Sequence, residues 1–142
     1  MSAANKAVIQ AFIEDVLNQR RLDRADDLVK ENFIELDPLP GQEQGREGLK
    51  AILRMLWSAF PDMHWVVSEM VAEGEKVVTR FVWTGSHRGA FLGIPATGRS
   101  VEVKGVVVDR LEDGKMADSR ILMDTMGLMQ QLGVVPAPPA PA

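Results

Sequence analysis

The chain contains no cysteine and no tyrosine, and its only histidines are His64 and His87. The missing cysteine excludes a disulfide framework, a thiolate zinc site, an iron–sulfur cluster and a cysteine nucleophile. Two histidines are too few for a histidine-rich metal centre; carboxylate-based metal binding stays open, although no EF-hand or zincin spacing is present. No apolar run approaches the roughly 20 residues that span a bilayer. The opening Met1-Ser2-Ala3-Ala4-Asn5-Lys6 lacks the charged start, apolar run and cleavage site of a signal peptide. Cytoplasmic residence and no membrane partner are the expectation. Positive charge is also in deficit, with a formal net charge of −4, which argues against a nucleic-acid partner. The basic cluster Arg20, Arg21 and Arg24 is interrupted by Asp23 and reads as a solvated surface.

What is present is an ordinary globular balance, 46% hydrophobic and 25% charged over 142 residues. That supports one hydrophobic core, expected over residues 1–133, followed by a Pro/Ala-rich, loosely packed tail at 134–142. Val8, Ile9, Phe12, Ile13, Val16 and Leu17 recur at helical spacing and predict a helix from Ser2 to Asn18. A short helix follows at Leu22–Lys30, then a strand at Phe33–Asp37 that Pro38, Pro40 and Gly41 terminate. Leu49, Ile52, Leu53, Leu56, Trp57 and Phe60 predict a helix at Gly45–Phe60, closed by Pro61. The period then changes to two. Strands are predicted at Met63–Ala72, Val77–His87, Arg99–Leu111 and Met116–Met123, with tight turns at 73–76 and 112–115. The glycine-rich Gly85–Gly98 segment is a loop folding over something apolar. Asp124 is positioned to cap a last helix through Gln131, which stops at Gly133.

Helices first and an antiparallel meander afterwards indicate an α+β fold with helices on one face of the sheet. A curved sheet around a long helix leaves a cone-shaped space, which is a ligand pocket if side chains do not fill it.

Several stretches resemble the SnoaL-like polyketide cyclase family. They are Phe33-Ile34-Glu35-Leu36-Asp37-Pro38, Gly45-Arg46-Glu47-Gly48-Leu49, Ala59-Phe60-Pro61-Asp62, Gly85-Ser86-His87-Arg88-Gly89, Gly93-Ile94-Pro95-Ala96-Thr97-Gly98-Arg99, Asp113-Gly114-Lys115 and Gln130-Gln131-Leu132-Gly133. The resemblance implies the nuclear-transport-factor-2-like fold, a cone-shaped α+β barrel whose curved, mostly antiparallel sheet wraps around the N-terminal helices. It also implies a cofactor-free cyclase or isomerase, such as an ester cyclase, working by acid–base chemistry on a small hydrophobic carbonyl compound. Removing a proton α to a carbonyl needs a base at the carbon and a donor at the developing oxyanion.

Asp37 is the first candidate, in the same place relative to the first helices as the ketosteroid isomerase base; its competing role is a turn aspartate before Pro38. Glu35 shares its strand parity and is an alternative carboxylate, unless it is a solvated strand-face glutamate. His87 follows Phe81, Trp83 and Gly85 with period two, and is either a polarising or shuttling partner or a structural histidine bonded to the loop. His64 is expected to be exposed. Asp124 stands where the family often has an aspartate, and its competing role is the helix cap. Asp109 shares the parity of Val103 and Val107 and points inward unless Gly105 marks a bulge. Trp57, Phe60, Phe81, Trp83, Met123 and Met126 are expected to line the pocket. Trp65, with Val67, Val106 and Val108, is assigned to an outer face covered by a second subunit in a homodimer.

Two departures from the family pattern stand out. The acid/base aspartate that follows an arginine on the last strand is replaced by Ile121 after Arg120, and Ile13 occupies the position of the isomerase's phenolic donor. They favour a relocated acid/base, with Asp37 the candidate, or a carrier of a small hydrophobic ligand; the missing aspartate weakens a third reading, an epoxide-hydrolase-like enzyme, and a fourth is a dimerisation module with a filled interior.

Overall fold

A computed structural model describes residues 2–136; the part of the predicted tail beyond Pro136 lies outside the described residues. Helix α1 (Ser2–Ala11) runs directly into a π-helical stretch, Phe12–Asn18. The predicted helix is thus there in extent, but its second half is wider than period 3.6 implies. Widened turns of this kind are frequent at functional sites, and here the stretch presents Phe12, Ile13 and Leu17 to the interior together with Ile9 of α1. Leu22–Arg24 forms a 3-10 turn, and α2 spans only Ala25–Leu28 before strand β1 takes over at Val29–Glu35. The expected helix to Lys30 stops early because Val29 is already extended and fully buried in the sheet. Helix α3 (Gly45–Ala59), strands β2 (His64–Glu73), β3 (Lys76–Ser86), β4 (Ser100–Glu112) and β5 (Lys115–Met123), and helix α4 (Thr125–Leu132) follow, each within a residue or two of its prediction. The Asp124 side chain caps α4 by accepting from the Gly127 N–H at 2.8 Å, and Gly133 closes it with a φ of 82°, as the cap and stop signals require.

The strands form one five-stranded sheet in the order β1-β5-β4-β3-β2, antiparallel except for β1 beside β5. The cone-shaped barrel expected from the resemblance is not formed. β1 and β2 are opposite edges with no ladder between them, so the sheet stays open rather than curling round the helices. Each edge is instead met by an amide side chain that imitates a neighbouring strand. Asn18 accepts from the Trp65 N–H at 2.8 Å and donates to the Trp65 carbonyl at 3.0 Å. Gln44 does the same for Glu35, at 3.1 and 3.3 Å.

Register decides which side chains face the helices. A shift between Val67 and Glu69 in the β2–β3 ladder resets the parity of β2. Trp65 is consequently buried on the inner face, its ring tilted against Phe81 at 4.8 Å between ring centroids, and does not belong to an outer patch. Gly105 does not mark a bulge, since β3 and β4 pair without interruption from Lys76–Arg110 to Ser86–Ser100. It is needed for closeness instead. A Cβ there would lie 2.4 Å from Phe81 Cζ, and only a glycine lets that ring cross onto β4.

Candidate active site

Between the sheet's inner face and the two long helices lies a cavity of about 460 Å³, within the range of small-molecule sites. A solid, self-filled interior is thereby ruled out. Helical Ile9, Phe12, Ile13, Leu49, Ile52, Leu53 and Leu56 form its roof, while Phe33, Trp65, Phe81, Val107, Met116, Ile121 and Met123 form much of its floor. Ile121 and Ile13, the two departures from the family pattern, both line it, so the positions that lost their polar groups are inside the hollow. The polar lining is confined to Glu35, Asp37, Gln42, Asp109, Ser119 and Thr125.

Three of those polar residues are aligned by the sheet. Ala72, Val77, Asp109, Ser119 and Glu35 lie opposite one another on successive strands. Each next row toward the far end of β2 is apolar or aromatic where it faces the cavity. One end of the floor is therefore a carboxyl–hydroxyl–carboxyl row, and the rest is greasy.

Asp109 is 3% exposed and its Oδ1 has no hydrogen-bond partner. Burial pushes its carboxyl up to about 7; the Ser119 hydroxyl offsets part of this, and the charges of Glu35 and Asp118 add to it. A carboxyl taken from water without compensating donors holds its proton, which suits it to acid–base work near neutrality. Glu35 is also buried, and that burial raises its carboxyl. The backbone N–H groups of Asp37, Leu36 and Ile121 oppose the rise, while the Asp37 charge adds to it. The Asp37 N–H reaches Glu35 Oε2 at 3.0 Å.

The other sequence candidates are distributed differently. Asp37 lines the cavity at its open side, 3.8 Å from Arg120 and with a one-third exposed side chain. His87 is fully buried but does not line the cavity. Its Nδ1 accepts from the Thr97 N–H at 3.2 Å and contacts the Thr97 hydroxyl at 2.9 Å. Its ring packs beside Phe60, which also meets Trp83 and Phe91. That cluster pins the 87–99 loop and lies apart from the carboxyl row. Asp124 is occupied as the α4 cap on the exposed surface. Of the expected lining residues, Phe81 and Met123 face the cavity, whereas Trp57, Phe60 and Trp83 are not among its lining residues. Trp83 touches the site indirectly, donating from Nε1 to Met123 Sδ at 3.3 Å. Trp57 carries the Arg20 guanidinium over its ring at 5.4 Å, and Met126 is 60% exposed. His64 is exposed, as expected.

Sequence reasoning did not single out Ser119 or assign Trp65 to the interior. For Ser119 no local signal was available: the antiparallel count across the 112–115 turn places Asp118 opposite Asp109, and a register shift between Arg110 and Leu111 puts Ser119 there instead. Among the described residues there is no group of three or more potential metal ligands, and no helix is long and apolar enough to cross a membrane.

Residues 7–132 match the family model for SnoaL-like polyketide cyclases. The chain is 32% identical over 118 residues to aklanonic acid methyl ester cyclase DnrD of Streptomyces peucetius, covering 78% of this chain and 80% of that protein. It is similar in structure to TsrD from Streptomyces laurentii, with a TM-score of 0.85, 31% identity, and 94% and 97% of the two chains covered. It is similar also to wild-type IdmH from Streptomyces antibioticus, with a TM-score of 0.80, 28% identity, and 91% and 98% covered. With an apolar cavity and titratable carboxyls in one place, the chain belongs to the SnoaL-like polyketide cyclase family and is an enzyme of the cyclase type acting on a small apolar compound.

Proposed function

We propose that the protein closes a ring in a neutral, largely apolar ester by an intramolecular aldol-type step, with Asp109 exchanging a proton with the reacting substrate. The observation that carries this reading is Asp109 itself, a buried carboxyl with an unpartnered oxygen lining an otherwise greasy hollow. The position after Arg120 offers only an isoleucine, so the proton chemistry is relocated along the same floor, from β5 to β4. In this reading the base role expected of Asp37 also moves inward. At the rim, beside Arg120 and with its side chain one-third exposed, Asp37 is less enclosed than Asp109.

Charge narrows the substrate. Glu35, Asp37 and Asp109 line the cavity, and among the described residues no lysine, arginine or histidine does. A carboxylate held inside it finds no cationic partner in the lining, whereas an ester needs none. The likeness to an aklanonic acid methyl ester cyclase supports the same choice. A second copy of the chain over the outer sheet face also belongs to the proposal. Val66, Val71, Val78 and Leu122 are exposed there by 54%, 59%, 37% and 64%, around the Arg80–Glu69 ion pair, and exposed apolar side chains with a polar pair among them are what a second subunit covers.

The test is conversion of aklanonic acid methyl ester by the full-length protein and by Asp109→Asn. Loss of a general acid costs roughly 10²–10⁴-fold, so the variant should retain at most about a hundredth of the turnover with ester binding preserved. Full turnover by Asp109→Asn would remove the assigned residue, and no binding of the ester by the native chain would remove the substrate class.

A further inference from the structure

The row Asp109–Ser119–Glu35 holds two carboxyls whose surroundings differ in kind. Glu35 has a backbone donor on its carboxylate, the Asp37 N–H at 3.0 Å, and this donor opposes the rise that burial causes. Such a donor favours the anion. Its main chain is fixed on the other side by Gln44. Asp109 receives no backbone donor, has an orphaned Oδ1 and is more deeply buried, conditions that favour the neutral acid. The two residues sit on β1 and β4 with only β5 between them, a Cα separation of about 10 Å at normal strand spacing. Both line the same cavity. A single molecule held over the row therefore meets a proton acceptor at one end and a proton donor at the other.

We infer that the reaction uses both ends of this row, with Glu35 as the base, Asp109 as the acid, and Ser119 as a positioning residue that steadies the Asp109 carboxyl between them. This rests on the cyclase reading given above and divides its proton transfers between two groups. The Glu35 carboxylate takes the proton from the carbon α to one carbonyl, and the C–H electron pair becomes an enolate. The enolate carbon bonds to the second carbonyl carbon of the same molecule. The C=O π pair moves onto its oxygen, which takes the proton from the Asp109 carboxyl. The cycle leaves Glu35 protonated and Asp109 ionised, and return of the proton through water entering the emptied cavity restores both. No charge or atom is gained or lost. Separating the two roles lets the attacked oxygen sit several ångströms from the carbon that loses its proton, as ring closure between distant parts of one substrate requires.

The two charges felt by this pair from outside the row are Asp37 beside Glu35 and Asp118 beside Asp109. The test follows the carboxyl ¹³C signals of the full-length protein across pH. Asp109 should keep its proton to higher pH than Glu35. Glu35→Gln should lower the Asp109 midpoint at least threefold in proton affinity by removing a like charge, and Ser119→Ala should raise it. With aklanonic acid methyl ester as substrate, Glu35→Gln should lose at least a hundredfold in kcat without weaker binding, and Glu35→Asp should recover part of it. A Glu35 that is still protonated where Asp109 is ionised, an Asp109 midpoint indifferent to Glu35→Gln, or full turnover by Glu35→Gln would each overturn the division of roles. If Asp109→Asn is inactive while any of these holds, only the division falls; if Asp109→Asn turns over normally, the cyclase assignment of Asp109 falls with it.

Discussion

Asp109 and His87 are both buried, at 3% and 0% exposure, and each keeps a ring or carboxyl atom without a hydrogen-bond partner. Yet Asp109 borders empty volume, whereas His87 is enclosed by Phe60 and the 87–99 loop. The Thr97 N–H donating to Nδ1 leaves the imidazole proton on Nε2, so the ring works as a hydrogen-bonded strut. Burial of an ionisable group is therefore not what marks the reactive end of this molecule. A neighbouring hollow large enough for a reactant is what separates the two.

The comparison predicts opposite signs for substitutions at the two ends. At the solid end, Phe60→Ala should cost about 3–5 kcal/mol, because the ring touches Trp83, His87 and Phe91 and the hole cannot collapse. At the hollow end, Asp109→Asn should be stabilising above neutral pH. The folded carboxyl, pushed up to about 7 from 3.8, binds its proton more tightly than the unfolded one. Native stability should thus decline as pH rises from about 4 to about 7, by on the order of 4 kcal/mol, at about 1.4 kcal/mol per tenfold change in proton affinity. Urea unfolding at pH 4 and pH 8 checks both: the Asp109→Asn advantage should be present at pH 8 and absent at pH 4. A smaller effect, about 1–3 kcal/mol, is expected for Gly105→Ala, whose methyl group meets Phe81 and the Leu122 carbonyl. Displacement of the Phe81 ring into the cavity should also weaken ester binding, measurable by calorimetry. Asp124→Ala should be smallest, costing about 1 kcal/mol from the lost cap and leaving turnover per folded molecule unchanged.

The strand and helix pattern was legible because β-branched runs, turn pairs and the Asp124 and Gly133 signals agree with the final packing. Two features ran against local rules. In β1 the apolar Ile34 is 48% exposed and Leu36, just beyond it, is 44% exposed, while Glu35 between them is buried. Hydrophobic patterning therefore hides the carboxylate that the sheet turns inward, the kind of conflict expected at functional sites. Trp65 was misassigned because the shift between Val67 and Glu69 and the clasp by Asn18 are tertiary features with no local signature. The inward direction of Asp109 was readable from its parity, but its perturbed proton affinity depends on neighbours contributed by β1 and β5.

The amide clasps on the two outermost strands have a consequence for how this protein behaves in a crowded cell. An open sheet exposes backbone groups along its margins, and a foreign strand can add itself there. Asn18 and Gln44 occupy those groups at Trp65 and Glu35, each with a short side chain that offers nothing further to extend. The margins are thereby blunted against fibril-like growth at the same two residues that border the hollow.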